Sequence, residues 1–296
     1  MRTRFTERYS LDIPFVGAPL GELSGPDLTA AVSEAGGMGT LGAVGAGQTS
    51  PARLRALIRV TRSLTRRPFG VNFLAPLAND ELIDICAEEK VGVVSFHLGP
   101  TPPQWVARLR EAEVDTWVQV GSPEGARAAV ESGAVLVVAQ GQEAGGCTAG
   151  VAPTLSLLPA IVDAVTPALV LAAGGIADGR GMVAALALGA DGVWVGTRLI
   201  ASDEAYAHPE YKRRIIAARP GDTEVSDGPH GPGGHAVRSL RPRLGDGEAR
   251  LLMAGESAAL VHDVRPAVDI VRHMHASARD VISGRLAGCL EPVGVR

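Results

Sequence analysis

The 296-residue chain is 46% apolar and 20% charged, enough to build a large core, which excludes a disordered or linker-dominated protein. Its formal net charge is −4, and its basic side chains gather no more densely than at Arg66-Arg67 and Lys212-Arg213-Arg214, so nucleic acid is excluded as a partner because its phosphates find little to attract them. No run approaches the ~20 apolar residues that span a bilayer, and the start of the chain lacks the apolar stretch of a signal peptide; both point away from a membrane and toward the cytoplasm.

In chain order, short β-rich runs fall at 13–18, 39–43, 69–73, 91–96, 116–120, 135–139, 169–173 and 192–195. Between them lie helical stretches at 26–35, 51–64, 79–88, 102–111, 123–131, 154–165 and 179–188, several opened by proline or a polar cap. Runs such as AVLVVA at 134–139 and ALVLAA at 168–173 do not alternate, as expected of strands covered on both faces. Eight such units fit a closed (β/α)8 TIM barrel or an open doubly wound sheet. The late glycines favour the barrel: Gly174-Gly175 follows the seventh strand and Gly196-Thr197 the eighth, where barrels build a phosphate site from backbone N–H groups. The glycine-rich stretch at 35–47 flanks a strand with no helix beginning inside it, so it is not a dinucleotide fingerprint. Residues 1–200 are expected to form the barrel. Residues 201–296 read as a helical tail, with helices at 203–218, 254–262 and 266–283 and a Gly/Pro-rich interruption at 227–235, packed on the barrel either as a lid or as inert covering.

Chemistry concentrates in the loop after the sixth strand, Gln140-Gly141-Gln142-Glu143-Ala144-Gly145-Gly146-Cys147-Thr148-Ala149-Gly150. Its glycines suit a backbone lying close against a flat ligand. A planar ring here and a phosphate at Gly174-Gly175 and Gly196-Thr197 describe flavin mononucleotide, FMN. The amides of Asn72 and Gln140 suit the ring edge or ribityl chain, and equally suit tying down a loop. Cys86, Cys147 and Cys289 are too few and too scattered for a disulfide framework, and no Cys/His spacing suits a metal.

Several pieces, in order and spacing, resemble the nitronate monooxygenases, formerly called 2-nitropropane dioxygenases. They are Gly17-Ala18-Pro19-Leu20, Phe69-Gly70-Val71-Asn72-Phe73, Val94-Ser95-Phe96-His97-Leu98-Gly99, the loop from Gln140 to Gly146, Ala172-Ala173-Gly174-Gly175-Ile176 and Trp194-Val195-Gly196-Thr197-Arg198, with 201–216 and Ala254-Gly255-Glu256-Ser257 in the tail. The resemblance implies an FMN-dependent barrel oxidising small alkyl nitronates with O2. It places flavin contacts at Pro19, Leu20, Asn72, Gln140, Gly145, Gly146, Gly174, Gly175, Trp194, Val195, Gly196 and Thr197, and it is compatible with a homo-oligomer. In that family a histidine follows Glu-Ala-Gly-Gly as catalytic base, whereas this chain has Cys147. A thiol, with a reference pKa near 8.5, is a poorer base at pH 7 than imidazole, so weak turnover of neutral nitroalkanes is expected while preformed nitronates still react.

Cys147 and His97, the latter at the end of the fourth strand, are the candidate catalytic residues. His230 and His235 offer a replacement base from the 227–235 loop. Glu143 reads as a loop brace, and His273 and His275, two apart on a helix, make a poor metal pair. Other readings stay open. The segment around Gly174 to Thr197 with Cys147-Thr148 also resembles inosine-monophosphate dehydrogenases, with Cys147 as nucleophile. An NAD(P)H-using flavoprotein enoyl reductase shares the barrel, and a non-catalytic FMN binder would keep the ring and phosphate contacts alone.

Overall fold

The computed structural model describes residues 1–42, 49–148, 150–226, 235–242 and 251–289. Eight parallel strands form one sheet: β1 (Phe15–Gly17), β2 (Gly39–Gly42), β3 (Phe69–Leu74), β4 (Val93–His97), β5 (Asp115–Val120), β6 (Leu136–Gln140), and, after the separate two-residue strand β7 (Gly146–Cys147), β8 (Leu169–Ala173) and β9 (Gly192–Val195). Their order is β1-β9-β8-β6-β5-β4-β3-β2. The two edges meet, because Gly17 N donates to Met38 O and Met38 N to Phe15 O, each at 2.9 Å. The sheet is thus a closed (β/α)8 TIM barrel. The predicted strands stand within two residues of these bounds; Ala43, at the end of the second, lies outside the described residues.

The intervening helices are α2 (Pro26–Glu34), α3 (Pro51–Leu64), α4 (Asp80–Glu88), α5 (Pro103–Glu111), α6 (Pro123–Glu131), α7 (Thr154–Val165) and α8 (Gly179–Ala187). Their starts are fixed locally. Ser50, Asn79, Ser122 and Asp178 accept N–H groups of the first turn, and proline occupies that turn in α2, α3, α5 and α6.

Strand alternation divides the side chains. Val94 and Phe96, Val137 and Ala139, and Val193 and Val195 face the helices, while Val93, Trp117, Leu136, Val138, Leu171 and Trp194 fill the barrel. Its N-terminal end is plugged by α1 (Arg4–Tyr9), a helix not expected from the sequence, which a Thr3 capping box starts. Phe5 is fully buried there, and its ring centroid lies 5.7 Å from that of Trp117.

The tail departs from the expected run of helices. The stretch 203–218 is helical only over α10 (Pro209–Ile216), after the short α9 (Thr197–Ile200). The stretch 254–262 holds one 3-10 turn, Glu256–Leu260, and the last helix is α11 (Ala267–Asp280), continued by a π turn, Val281–Leu286. Between α10 and α11 the described residues hold two strands, β10 (Thr223–Ser226) and β11 (Val237–Leu240), antiparallel to each other, and β11 pairs with β7. Four-residue strands show too little alternation to read as β, and their partner β7 is shorter still. Most of the Gly/Pro-rich interruption, 227–234 with His230, lies outside the described residues.

Candidate functional site

The C-terminal mouth of the barrel is ringed by inward-facing polar side chains. Strand alternation puts Thr40, Asn72, Ser95, His97, Gln119 and Gln140 on the same inner face that carries Val93, Trp117 and Val138 lower down. Asn72, His97 and Gln140 were expected from the sequence; Thr40, Ser95 and Gln119 were not. The period of two alone finds the last two, since Ser95 precedes His97 by two residues and Gln119 follows Trp117 by two.

Within this ring, Asn72 Nδ2 donates to Ser95 Oγ at 2.9 Å and to Ser95 O at 3.2 Å. His97, 6% exposed, has Nε2 3.1 Å from the Cys147 carbonyl oxygen, and Gln119 Nε2 approaches the same ring nitrogen at 3.3 Å. Gln140 Nε2 donates to that Cys147 carbonyl at 3.0 Å. One main-chain oxygen of β7 therefore ties the ends of β4 and β6 together. A proton on His97 Nε2 serves this bond and leaves Nδ1 as an acceptor; among the described residues Nδ1 is buried and without a hydrogen-bond partner, as is Thr40 Oγ1.

Electrostatically the ring is neutral. Burial, the largest influence, together with a smaller push from nearby His235, holds the His97 imidazole down at about 4. Burial pushes the Cys147 thiol up from its ordinary value, so it stays protonated at neutral pH. A thiolate nucleophile, as a purine-attacking mechanism requires, is disfavoured by the same burial.

The loop that carries Cys147 is pinned from above. Gly146 has φ +77°, and a Cβ on Gly145 would come within 2.4 Å of Gly255 N, so both positions demand glycine. Gly255 N donates to Thr197 Oγ1 at 3.0 Å and Glu256 N to Glu143 O at 2.9 Å. The Glu143 carboxylate accepts from Thr154 N and Thr154 Oγ1, each at 2.9 Å, capping α7 as a brace.

The expected phosphate loops meet beside this cover. Gly174 and Gly175 have φ +105° and +74°. A Cβ at Gly174 would press on Thr154 Oγ1 at 2.9 Å, whereas at Gly175 the nearest atom is 3.9 Å away, so the cradle opens at Gly175. The β1 loop with Pro19 and Leu20 closes in on Gly196, Leu20 Cδ2 standing 3.3 Å from where a Cβ would be. The Trp194 ring lies inside the barrel, 6.1 Å from that of Trp117, and Val195 is buried against the helices. Further along the turn, Thr197 is buried and its Oγ1 accepts from Gly255 N. Among the described residues no group of three or more His, Cys, Asp or Glu is placed to hold a metal ion, and no helix is long and apolar enough to cross a membrane.

The family model for nitronate monooxygenase matches residues 2–83 and 78–241. The chain belongs to the nitronate monooxygenase family of oxidoreductases. Among its relatives, the nitronate monooxygenase of Pseudomonas aeruginosa is 32% identical over 273 residues, covering 76% of this chain and 77% of that one. A (3aS,4S,5R,7aS)-5-hydroxy-7a-methyl-1-oxo-octahydro-1H-indene-4-carboxyl-CoA dehydrogenase of Rhodococcus jostii is 40% identical over 227 residues, 76% of this chain. The match spans 63% of that dehydrogenase's length and 61% of its Mycobacterium tuberculosis counterpart's, under two thirds of each. Among solved structures, FabK of Thermotoga maritima superposes with a TM-score of 0.89 at 35% identity, covering 98% of this chain and all of that one. The nitroalkane oxidase of Streptomyces ansochromogenes gives 0.85 at 29% identity, covering 95% and 99%.

Proposed function

We propose that this member of the nitronate monooxygenase family is an FMN-dependent oxidoreductase that takes small alkyl nitronates as preformed anions and oxidises them with O2. The observation that carries the reading is the burial of the two titratable groups at the mouth: His97 is buried and Cys147 half-buried, which holds the imidazole down and the thiol up, so neither imidazolium nor thiolate stands at the mouth at pH 7.

The residues fit a flavin. The open cradle at Gly175 and the Gly196-Thr197 turn offer backbone N–H groups to a phosphate. Pro19, Leu20, Gly145 and Gly146 border the space beside them, and Asn72, Gln140, Thr40 Oγ1 and the bare His97 Nδ1 supply donors and acceptors toward a heteroaromatic edge. The flavin, when bound, supplies the electron-accepting ring. What the protein contributes is position and the exclusion of competing charge. Cys147 fills the place of the family's histidine without accepting a proton, so a substrate that has already lost its α-proton is favoured over one that has not.

The first test is the visible spectrum of the purified chain, with the released cofactor identified by mass. Nitronate and neutral nitroalkane turnover are then compared in wild type and Cys147→His. Wild type is expected to favour the nitronate, and the histidine variant to gain about 100-fold on the neutral form. Equal handling of both forms by wild type would overturn the reading. The 40% identity to the R. jostii dehydrogenase favours a second reading, oxidation of a carboxyl-CoA thioester; bleaching of the bound flavin by CoA thioesters but not by nitronates would select it.

A further inference from the structure

The tail strand β11 does more than cover the mouth. It pairs Val237 with Cys147 and Arg238 with Gly146, and the Arg238 side chain, 11% exposed, reaches back into the junction. Its Nε donates to Gln142 O at 2.9 Å, and its Nη1 donates to Glu256 Oε1 at 2.7 Å and to Thr223 Oγ1 at 3.0 Å. Thr223 Oγ1 in turn donates to Glu256 Oε1 at 2.8 Å. Glu256 is the residue whose N–H holds Glu143 O. A single guanidinium thus links the β6 loop, β10 and the Gly255-Glu256 turn, three pieces that arrive separately along the chain and meet around β7.

We infer that Arg238, through its ion pair with Glu256, is the positioning residue that fixes β7 over the barrel mouth and sets where Cys147 and its carbonyl stand. The planar fork explains the residue type. It serves three acceptors in two directions at once, which a lysine ammonium on a flexible stem does not reproduce. A largely buried arginine paired with one carboxylate is weak evidence for overall stability, and a fixed register is the best-attested use of such a pair. Here the register is that of β7, whose two ladder pairs alone would hold it loosely.

The test is cysteine labelling of the full chain as purified, with the cofactor it carries, because Cys86 is buried and Cys289 exposed and they serve as internal references. In Arg238→Ala, Cys147 should react with iodoacetamide about tenfold faster, reflecting local opening of β7, while Cys289 keeps its rate and Cys86 stays silent. Arg238→Lys, which keeps the charge but not the fork, should fall between alanine and wild type. An unchanged Cys147 rate would overturn the inference. So would Cys86 labelling together with Cys147 in both variants, since the arginine would then support the whole fold rather than one strand. A kinetic arm rests on the nitronate reading: kcat should drop about 100-fold in Arg238→Ala with KM and flavin content little changed. Labelling needs no turnover, so its failure and the failure of the nitronate reading are separately visible.

Discussion

The two ends of this barrel are built on opposite rules. At the N-terminal end the polar groups pair off around an aromatic plug. Trp117 Nε1 donates to Tyr9 Oη at 2.8 Å, Tyr9 Oη donates to Asp115 at 2.7 Å, and Arg8 grips the same carboxylate. Arg4 holds Asp191, which also accepts from Val170 N. At the C-terminal end His97 Nδ1 and Thr40 Oγ1 are buried with no hydrogen-bond partner among the described residues, at ~1–3 kcal/mol for each group so left. Thr116 Oγ1, on the helix-facing side of β5, is unpartnered among the described residues as well, but inside the barrel one end is finished by the chain itself and the other carries a cost that a ligand can remove.

That contrast breaks first at the plug. Phe5 is fully buried and packs its ring on both Tyr9 and Trp117, so Phe5→Ala should cost about 3–5 kcal/mol of stability. Urea unfolding measures this, and activity per folded molecule should be unchanged. A parallel loss of specific activity would show that the plug shapes the mouth and that the two ends are not independent.

His97 sharpens the comparison from the other side. Its folded value of about 4 lies below the ordinary 6.5 because burial penalises the charged ring. Above pH 6.5 the ring is neutral folded and unfolded, and no protons are exchanged on unfolding. Below that, the unfolded chain binds a proton that the folded chain refuses, so stability present above pH 6.5 is lost as pH falls toward 4, by about 3 kcal/mol in all. Thermal unfolding between pH 4 and 7 should show this slope, and His97→Leu should flatten it. At pH 7 the same substitution should move stability by less than ~1.5 kcal/mol, since the Cys147 carbonyl keeps its bond from Gln140 and only the His97 contacts to that carbonyl and to Gln119 go, while nitronate turnover is lost. A slope that survives His97→Leu would assign it to another group.

The barrel was legible because its signals are local and repeated. The 169–173 run is unbroken apolar chain and forms β8 unchanged, and Pro51 and Pro123 mark helix starts to the residue. Half of the inner ring was legible for a different reason, that Asn72, His97 and Gln140 stand out within distinctive motifs; Ser95 shares the Val94–Gly99 motif but is not singled out by it, Gln119 lies in none, and both emerge only once strand register is known. The tail departs from its expected helices because β11 owes its conformation to β7 and to the Arg238 bond to Gln142, contacts more than 80 residues apart in sequence that no local period records, and β10 pairs in turn with β11. The Gly145 approach to Gly255 belongs to the same class: the glycine is visible in the sequence, its partner is not.

The smallest effect should come from Glu143, which belongs to the mouth by position but to the plug by construction. Both its carboxylate oxygens lie on the start of α7, at 2.9 and 3.1 Å from Thr154 N, where a negative charge also meets the positive end of the helix. Glu143→Gln keeps an acceptor for Thr154 N but removes the charge and one acceptor, which should cost about 1 kcal/mol, or roughly 1–2 °C in Tm for a chain of this size. Because its main-chain oxygen still takes the Glu256 N–H, β7 should stay seated and Cys147 should label at the wild-type rate. A small stability loss with unchanged labelling would place Glu143 with the self-satisfied frame. Faster labelling would move it into the Arg238 junction and extend the unfinished end of the barrel by one residue.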